Sequence, residues 1–185
     1  MLLVGCGYHF AGENLGLPED VHSVSVGTIE NSSREHGLEK TLQFALEREV
    51  YIRRHYYMDE DAAAGDAILS GAIRSVRMTP VAFNSNDQAV QFQIVVVMDL
   101  TLTRHSDGHV LWKVRGFKET DEYSASAPVV VTASSQFQQG TLNATDLNNP
   151  QLSNIQLAET ERQQALTRVL RQAARDAYNQ MVEGF

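Results

Sequence analysis

Three groups of side chains in this sequence have the types and spacing that chemistry needs. His105 and His109 flank the Ser106-Asp107-Gly108 turn, and with Asp107 they offer two nitrogens and a carboxylate to a divalent metal. A functional zinc site takes three or four protein ligands, so two exposed turn histidines account for the pair more simply. His55-Tyr56-Tyr57 followed by Asp59-Glu60-Asp61 brings acid, base and aromatic groups together. The same composition makes a solvated loop whose tyrosines partly cover a core. Between residues 74 and 118, Arg74, Arg77, Arg104, Lys113, Arg115 and Lys118 stand against Asp87, Asp99 and Asp107, a local cationic excess inside a chain of net charge −8. Lys113 and Arg115 fall on one face of a strand, an arrangement suited to phosphate or carboxylate groups. Charges so placed also solubilise an exposed strand and discourage edge pairing. No nucleophile elbow, phosphate loop or His-Glu metal pattern is present, which argues against catalysis and implies no cofactor.

The single cysteine, Cys6, permits no internal disulfide and no thiolate cluster. Met1-Leu2-Leu3-Val4-Gly5-Cys6 is too short for a signal peptide but has the form of the end of one: apolar residues, a small residue, then cysteine. Leu3-Val4-Gly5-Cys6 resembles the bacterial lipobox, in which the signal is cut before the cysteine and the sulfur and the new amino group are acylated, palmitate among the acyl groups. The alternative is a small buried hydrophobe in a cytosolic protein. Each buried methylene adds about 0.8 kcal/mol, so several acyl chains hold where one binds marginally. Gly7 rather than aspartate follows the cysteine, which by resemblance to enterobacterial sorting implies the outer membrane, reached through the periplasm. Asn31 and Asn143 lie in glycosylation sequons, which carry little weight in a bacterial protein.

Hydrophobic residues make up 43% and charged residues 21%, an ordinary globular composition over 185 residues. The acidic balance disfavours nucleic acid and anionic membrane surfaces, so membrane attachment rests on an anchor. No run of about 18 apolar residues marks a transmembrane helix.

The elements that must position these groups follow from periodicity. Val21 to Ile29, with Val24 and Val26 on one side, reads as a first strand. Ser32 with Glu35 forms a capping-box pattern, and Leu38, Leu42, Ala45 and Leu46 recur at helical spacing, predicting a helix over 34–50. Ala67 to Met78 reads as a second strand ahead of Pro80, with a turn at Asn84-Ser85-Asn86-Asp87. From Gln88 to Arg104 the alternation is sustained, with Val90, Phe92, Ile94, Val96, Met98, Leu100 and Leu102 on the core side. A hairpin at Ser106-Asp107-Gly108 leads to a fourth strand over 109–123, with Val110, Trp112 and Val114 on one face. Ser124 to Asn154 is a polar stretch with no clear periodicity. Leu166, Val169, Leu170, Ala173, Ala177, Tyr178 and Met181 then mark a helix over 155–182. The order β-α-β-β-β-α implies strands one and two parallel through a crossover, the rest an antiparallel meander. The expected architecture is an α+β fold: a two-layer α/β sandwich with two helices on one face of a four-stranded mixed sheet, the other face open.

Cys6-Gly7-Tyr8-His9-Phe10, then Leu17-Pro18, a valine-rich strand, the Glu30-Asn31 turn and the long final helix resemble the lipopolysaccharide-assembly lipoprotein family LptE, also called rare lipoprotein B. The resemblance covers nearly the whole chain in element order. It implies residues 1–5 as the residual end of a signal peptide, 6–20 as a lipidated linker, and 21–185 as one domain with a polar insertion at 124–154. It also implies an outer-membrane lipoprotein, lipidated at Cys6 and facing the periplasm, that partners the LptD β-barrel in bringing lipopolysaccharide to the surface. No reaction is catalysed in that role, and no nucleic acid or metal takes part. Family members contact lipopolysaccharide through basic residues near a hairpin tip, but here that tip reads Phe83-Asn84-Ser85-Asn86-Asp87, without a base. The candidate lipopolysaccharide or partner contacts are therefore Arg74, Arg77, Lys113 and Arg115. A lipoprotein activator of a peptidoglycan synthase, or a small periplasmic metal-binding enzyme using His105, Asp107 and His109, are the alternatives.

Overall fold

Strict alternation through the most apolar stretch of the chain produces a strand paired along both edges. A computed structural model of the chain describes residues 17, 18, 20–53, 57–58, 65–129 and 150–183. Within these, β1 (Ser23–Asn31), α1 (Leu38–Arg53), β2 (Tyr57–Met58), β3 (Ala67–Phe83), β4 (Ala89–Arg104), β5 (Val110–Val129) and α2 (Pro150–Glu183) follow in order. The sheet order is β2-β1-β3-β4-β5. β1 and β3 are parallel, while β3, β4 and β5 form the antiparallel meander. The four expected strands and two helices are present, and the two-residue β2 adds a short parallel edge beside Ser23 and Val24.

Both helices lie on one face. α2 packs on β5 and β4, α1 packs on β1, and the helices touch each other. From α2, Leu166, Val169, Leu170, Ala173, Ala177, Tyr178 and Met181 enter the core; α1 contributes Leu38, Leu42, Ala45, Leu46 and Val50. Ile94, Val96, Met98, Leu100 and Leu102 of β4 are fully buried beneath them. Each such aliphatic side chain stabilises the fold by about 1.5–3 kcal/mol relative to exposure. The intervening Val95, Val97, Asp99, Thr101 and Thr103 point to the other, uncovered face and are only half-buried.

Several boundaries differ from expectation, each for a local reason. Ser32 and Glu35 form no capping box, because Ser32 continues the strand edge, its N–H bonding Ile73 O at 2.9 Å. Asn31 builds the turn instead: its Oδ1 accepts from Ser33 N (3.0 Å) and Ser33 Oγ (2.7 Å), and its Nδ2 donates to Glu35 O (2.7 Å) and Glu39 Oε2 (2.9 Å). The helix therefore starts at Leu38, after Gly37 at φ 80°, whose carbonyl accepts the first helical bond from Thr41. Strand β3 does not stop at Met78 but runs through Pro80 to Phe83. The pairing with β1 has ended at Ile73, so Pro80 sits where β3 is an edge strand, and a register shift follows it. A shift between Ala89 and Gln91 interrupts the alternation at Val90, while Phe92 keeps the register of Ile94 opposite Tyr123 and is half-buried, stacked on the Tyr123 ring at 5.4 Å. Val110, at the start of β5, is exposed rather than inward.

The polar stretch expected at 124–154 is shorter. Residues 124–129 continue β5, Gln91 pairing with Ser124 and Ala89 with Val129, and residues 150–154 open α2. Proline is well suited to a first helical turn, where its missing N–H has no intrahelical partner to lose, which places Pro150 at the start of α2. Residues 130–149 lie outside the described residues.

Candidate functional site

On the open face, two small residues of β3 lie between strands that carry long polar ones. Ser70 and Ala72 form the floor of a groove of about 580 Å³, walled by Thr28 and Glu30 of β1, Arg74 of β3, Asp99 and Thr101 of β4, and Lys113 and Arg115 of β5. Pairing explains the convergence: Glu30, Ala72 and Asp99 occupy one row across three strands, and Ser70, Thr101 and Lys113 the next. Three of the four cationic candidates thus meet at one place. Three hydroxyls line the same groove.

Asp99 stands at two irregularities at once. β3 carries an extra residue at Arg74, between Ile73 and Ser75, and β5 sets two residues, Arg115 and Gly116, opposite the single Asp99, between Val114 and Phe117. Such bulges re-aim side chains, and Gly116 at φ 65° supplies the left-handed conformation the second one needs. Asp99 Oδ1 accepts the Gly116 N–H at 2.8 Å, and Oδ2 accepts the Arg74 Nε–H at 2.8 Å. These two bonds, first that from Gly116, with the charges of Arg74 and Arg115, hold the Asp99 carboxyl below its ordinary pKa. Arg74 is engaged through Nε, leaving its side chain about half exposed (53%) toward the groove. Chemically, the site can bind an anion carried on a hydroxylated group: guanidinium and ammonium for charge, Thr28, Ser70 and Thr101 for hydrogen bonds.

The other candidates are distributed differently. Arg77 is exposed on β3 opposite Val95, outside the groove. Lys118 pairs opposite Val97 in the same direction. Arg104 serves as a clamp instead: its Nε meets Asp20 Oδ2 at 3.0 Å and its Nη1 meets Asp107 Oδ2 at 3.2 Å. Asp107 Oδ1 is also occupied, by the His109 N–H at 2.9 Å, so the carboxylate expected to complete a histidine site is already committed. Among the described residues no group of three His, Cys, Asp or Glu is placed to hold a metal. Cys6, His55, Tyr56 and the Asp59-Glu60-Asp61 run lie outside the described residues, and of Tyr57 only the strand pairing in β2 is described. Among the described residues no helix is long and apolar enough to cross a membrane.

Residues 21–181 match the sequence model of the lipopolysaccharide-assembly family LptE. The chain belongs to the LptE family. No curated protein matches its sequence. Solved structures similar to this LptE-family chain include lipoprotein B from Nitrosomonas europaea, at 16% identity and TM-score 0.39, covering 94% of each chain. A Caulobacter crescentus CB15 protein matches at 14% identity and TM-score 0.48, over 83% of this chain and 87% of its own. A minor lipoprotein from Acinetobacter baumannii matches at 9% identity and TM-score 0.42, over 90% and 94%. Scores of this size add nothing to the family assignment, which rests on the sequence match.

Within this LptE-family domain, sequence reasoning did not find Asp99, Gly116 or the hydroxyl row. Asp99 is the one acid in the alternating run of β4, and Gly116 is an isolated glycine between strand residues, a known sign of a bulge. Those two signals together point to the place where Arg74 and Arg115 meet.

Proposed function

We propose that this protein is a lipid-anchored lipoprotein of the outer membrane, acylated at Cys6, that partners an LptD-type β-barrel and holds lipopolysaccharide transiently through the open-face groove. The observation that carries the proposal is the gathering of Arg74, Lys113 and Arg115 at one groove on the uncovered face of a chain whose net charge is −8. Phosphorylated sugars present multivalent anions beside hydroxyls, the complement of guanidinium, ammonium and threonine groups. Membership of a lipopolysaccharide-assembly family supports the ligand class. Arg77 and Lys118, outside the groove, extend a basic strip on which a partner or a longer ligand can lie.

The test is a comparison of wild type with Lys113→Glu/Arg115→Glu, using the acylated full-length chain. Lipopolysaccharide binding should fall at least tenfold in the double variant, while co-purification with the barrel from outer membranes changes little. Unaltered lipopolysaccharide binding would remove the groove from the mechanism. Recovery of a peptidoglycan synthase in place of a large barrel would transfer the protein to synthase activation.

A further inference from the structure

A groove that collects cations has no need of carboxylates, yet Glu30 stands on its β1 wall and Asp99 lies between Arg74 and Arg115, the one of the two bonded to a groove cation. We infer that Asp99 is a built-in counter-ion that limits how tightly the groove holds a phosphate, so that a bound ligand is released. The inference rests on the phosphate-binding role proposed above and concerns a specificity-determining residue within it.

Three features support it. First, Asp99 has a structural task that needs only a neutral acceptor: the Gly116 N–H bond at 2.8 Å, which an asparagine oxygen would accept equally. Its negative charge is surplus to that bond. Second, the charge is kept under all ordinary conditions, because Gly116 and Arg74 both stabilise the ionised form. Third, the partner it neutralises is exchangeable. The Arg74 side chain is 53% exposed, and an exposed ion pair is worth little, so a phosphate can take over Arg74 at small cost. The Nε–H goes to Asp99, and the guanidinium's remaining N–H groups can address a ligand before the exchange. Asp99 thus acts in both states: it occupies Arg74 when the groove is empty and repels a bound anion when it is full. A site that passes ligand onward must bind strongly enough to accept it and weakly enough to lose it.

The test compares full-length wild type with Asp99→Asn. Lipopolysaccharide, dephosphorylated lipopolysaccharide and inorganic pyrophosphate are the probes, and thermal stability is followed in parallel. Removing one like charge beside a phosphate at this exposure should tighten binding of lipopolysaccharide and pyrophosphate about five- to tenfold, chiefly by slower dissociation. Dephosphorylated lipopolysaccharide should bind both proteins alike. The variant should at the same time melt slightly lower, having lost the Arg74 pair. A residue with only a structural role would lower stability and affinity together, so opposite signs carry the inference. Equal or weaker binding of both phosphate probes by Asp99→Asn overturns it, even where Lys113→Glu/Arg115→Glu shows that the groove binds lipopolysaccharide. Loss of the lipopolysaccharide effect in both variants instead removes the proposed function, and pyrophosphate, followed at the Gly116 amide by NMR, then decides the role of Asp99 alone. If Asp99→Asn does not fold, Asp99→Thr, neutral and strand-favouring like its neighbours Thr101 and Thr103, takes its place in every arm.

Discussion

Gly71→Ala tests the close approach of β3 to β4 beneath the groove. A Cβ at Gly71 would lie 2.5 Å from Leu100 Cδ2 and 2.6 Å from the Asp99 carbonyl oxygen. The leucine methyl can rotate away, but the carbonyl belongs to β4, which is held by a strand on each side, so the backbone of Asp99 must move by several tenths of an ångström. Overpacking of this kind costs about 1–3 kcal/mol, and the loss of chain freedom in the unfolded state returns about 0.4–1 kcal/mol. A net loss of about 1–2 kcal/mol corresponds, at about 2–4 °C per kcal/mol in a protein of this size, to a melting temperature lower by about 2–8 °C. Gly116→Ala is the comparison. It meets nothing within 4 Å, and only its φ of 65° resists the substitution, a backbone cost of about 1–2 kcal/mol. Both should melt lower by calorimetry. Only Gly71→Ala should also shift the amide resonances of Asp99, Leu100 and their β5 neighbours in the pattern of a displaced strand. A Gly71→Ala protein as stable as wild type, with unmoved β4 amides, would refute the close approach and with it the described floor of the groove.

Three further outcomes follow from named contacts. Glu119 is raised above its ordinary pKa, first by burial and then by Asp176. Its folded-state pKa exceeds the unfolded one, so stability is lost as pH rises through the glutamate range; Glu119→Gln should raise the melting temperature at pH 7 and leave it unchanged near pH 3. Asp66, Asp99 and Asp107 are held low by backbone N–H groups, those of His22, Gly116 and His109 first. Their contribution is full above the ordinary aspartate pKa and declines as pH falls through their lowered values, so a melt series should drop below about pH 4, and Asp66→Asn should flatten part of that drop. Leu170→Ala, at a fully buried position on the core face of α2, should cost about 2–5 kcal/mol by urea unfolding.

What the residue pattern revealed and what it hid divide along a physical line. The core faces of α1, α2 and β4 were legible because burial imposes a strict period, and the aliphatic positions from Ile94 to Leu102 and from Leu166 to Met181 obey it. Strand ends were not legible where pairing outlasts local propensity: β3 continues past Pro80, and β5 takes in Ser124 to Val129, because a neighbouring strand is there to bond. The capping pattern at Ser32 and Glu35 failed since Asn31 offers the backbone a competing turn. Lys113 and Arg115 were readable as a same-face pair, but their meeting with Arg74 was hidden. It depends on two bulges that shift register by one residue each, and on Asp99, which joins strands distant in sequence.

The clamp made by Arg104 has a mechanical consequence. Tension arriving along the chain from its beginning meets the Val21 N–H to Pro18 carbonyl bond and the Asp20–Arg104 pair before it reaches β1. Asp66 then grips the first residues of the strand, accepting from His22 N, Ser23 N and Ser23 Oγ. Individually these surface contacts hold little, about 1 kcal/mol or less for the ion pair. Leu17 and Val21 in the same segment are buried in the core, so a pull must draw out two aliphatic side chains along with these contacts before it loads β1.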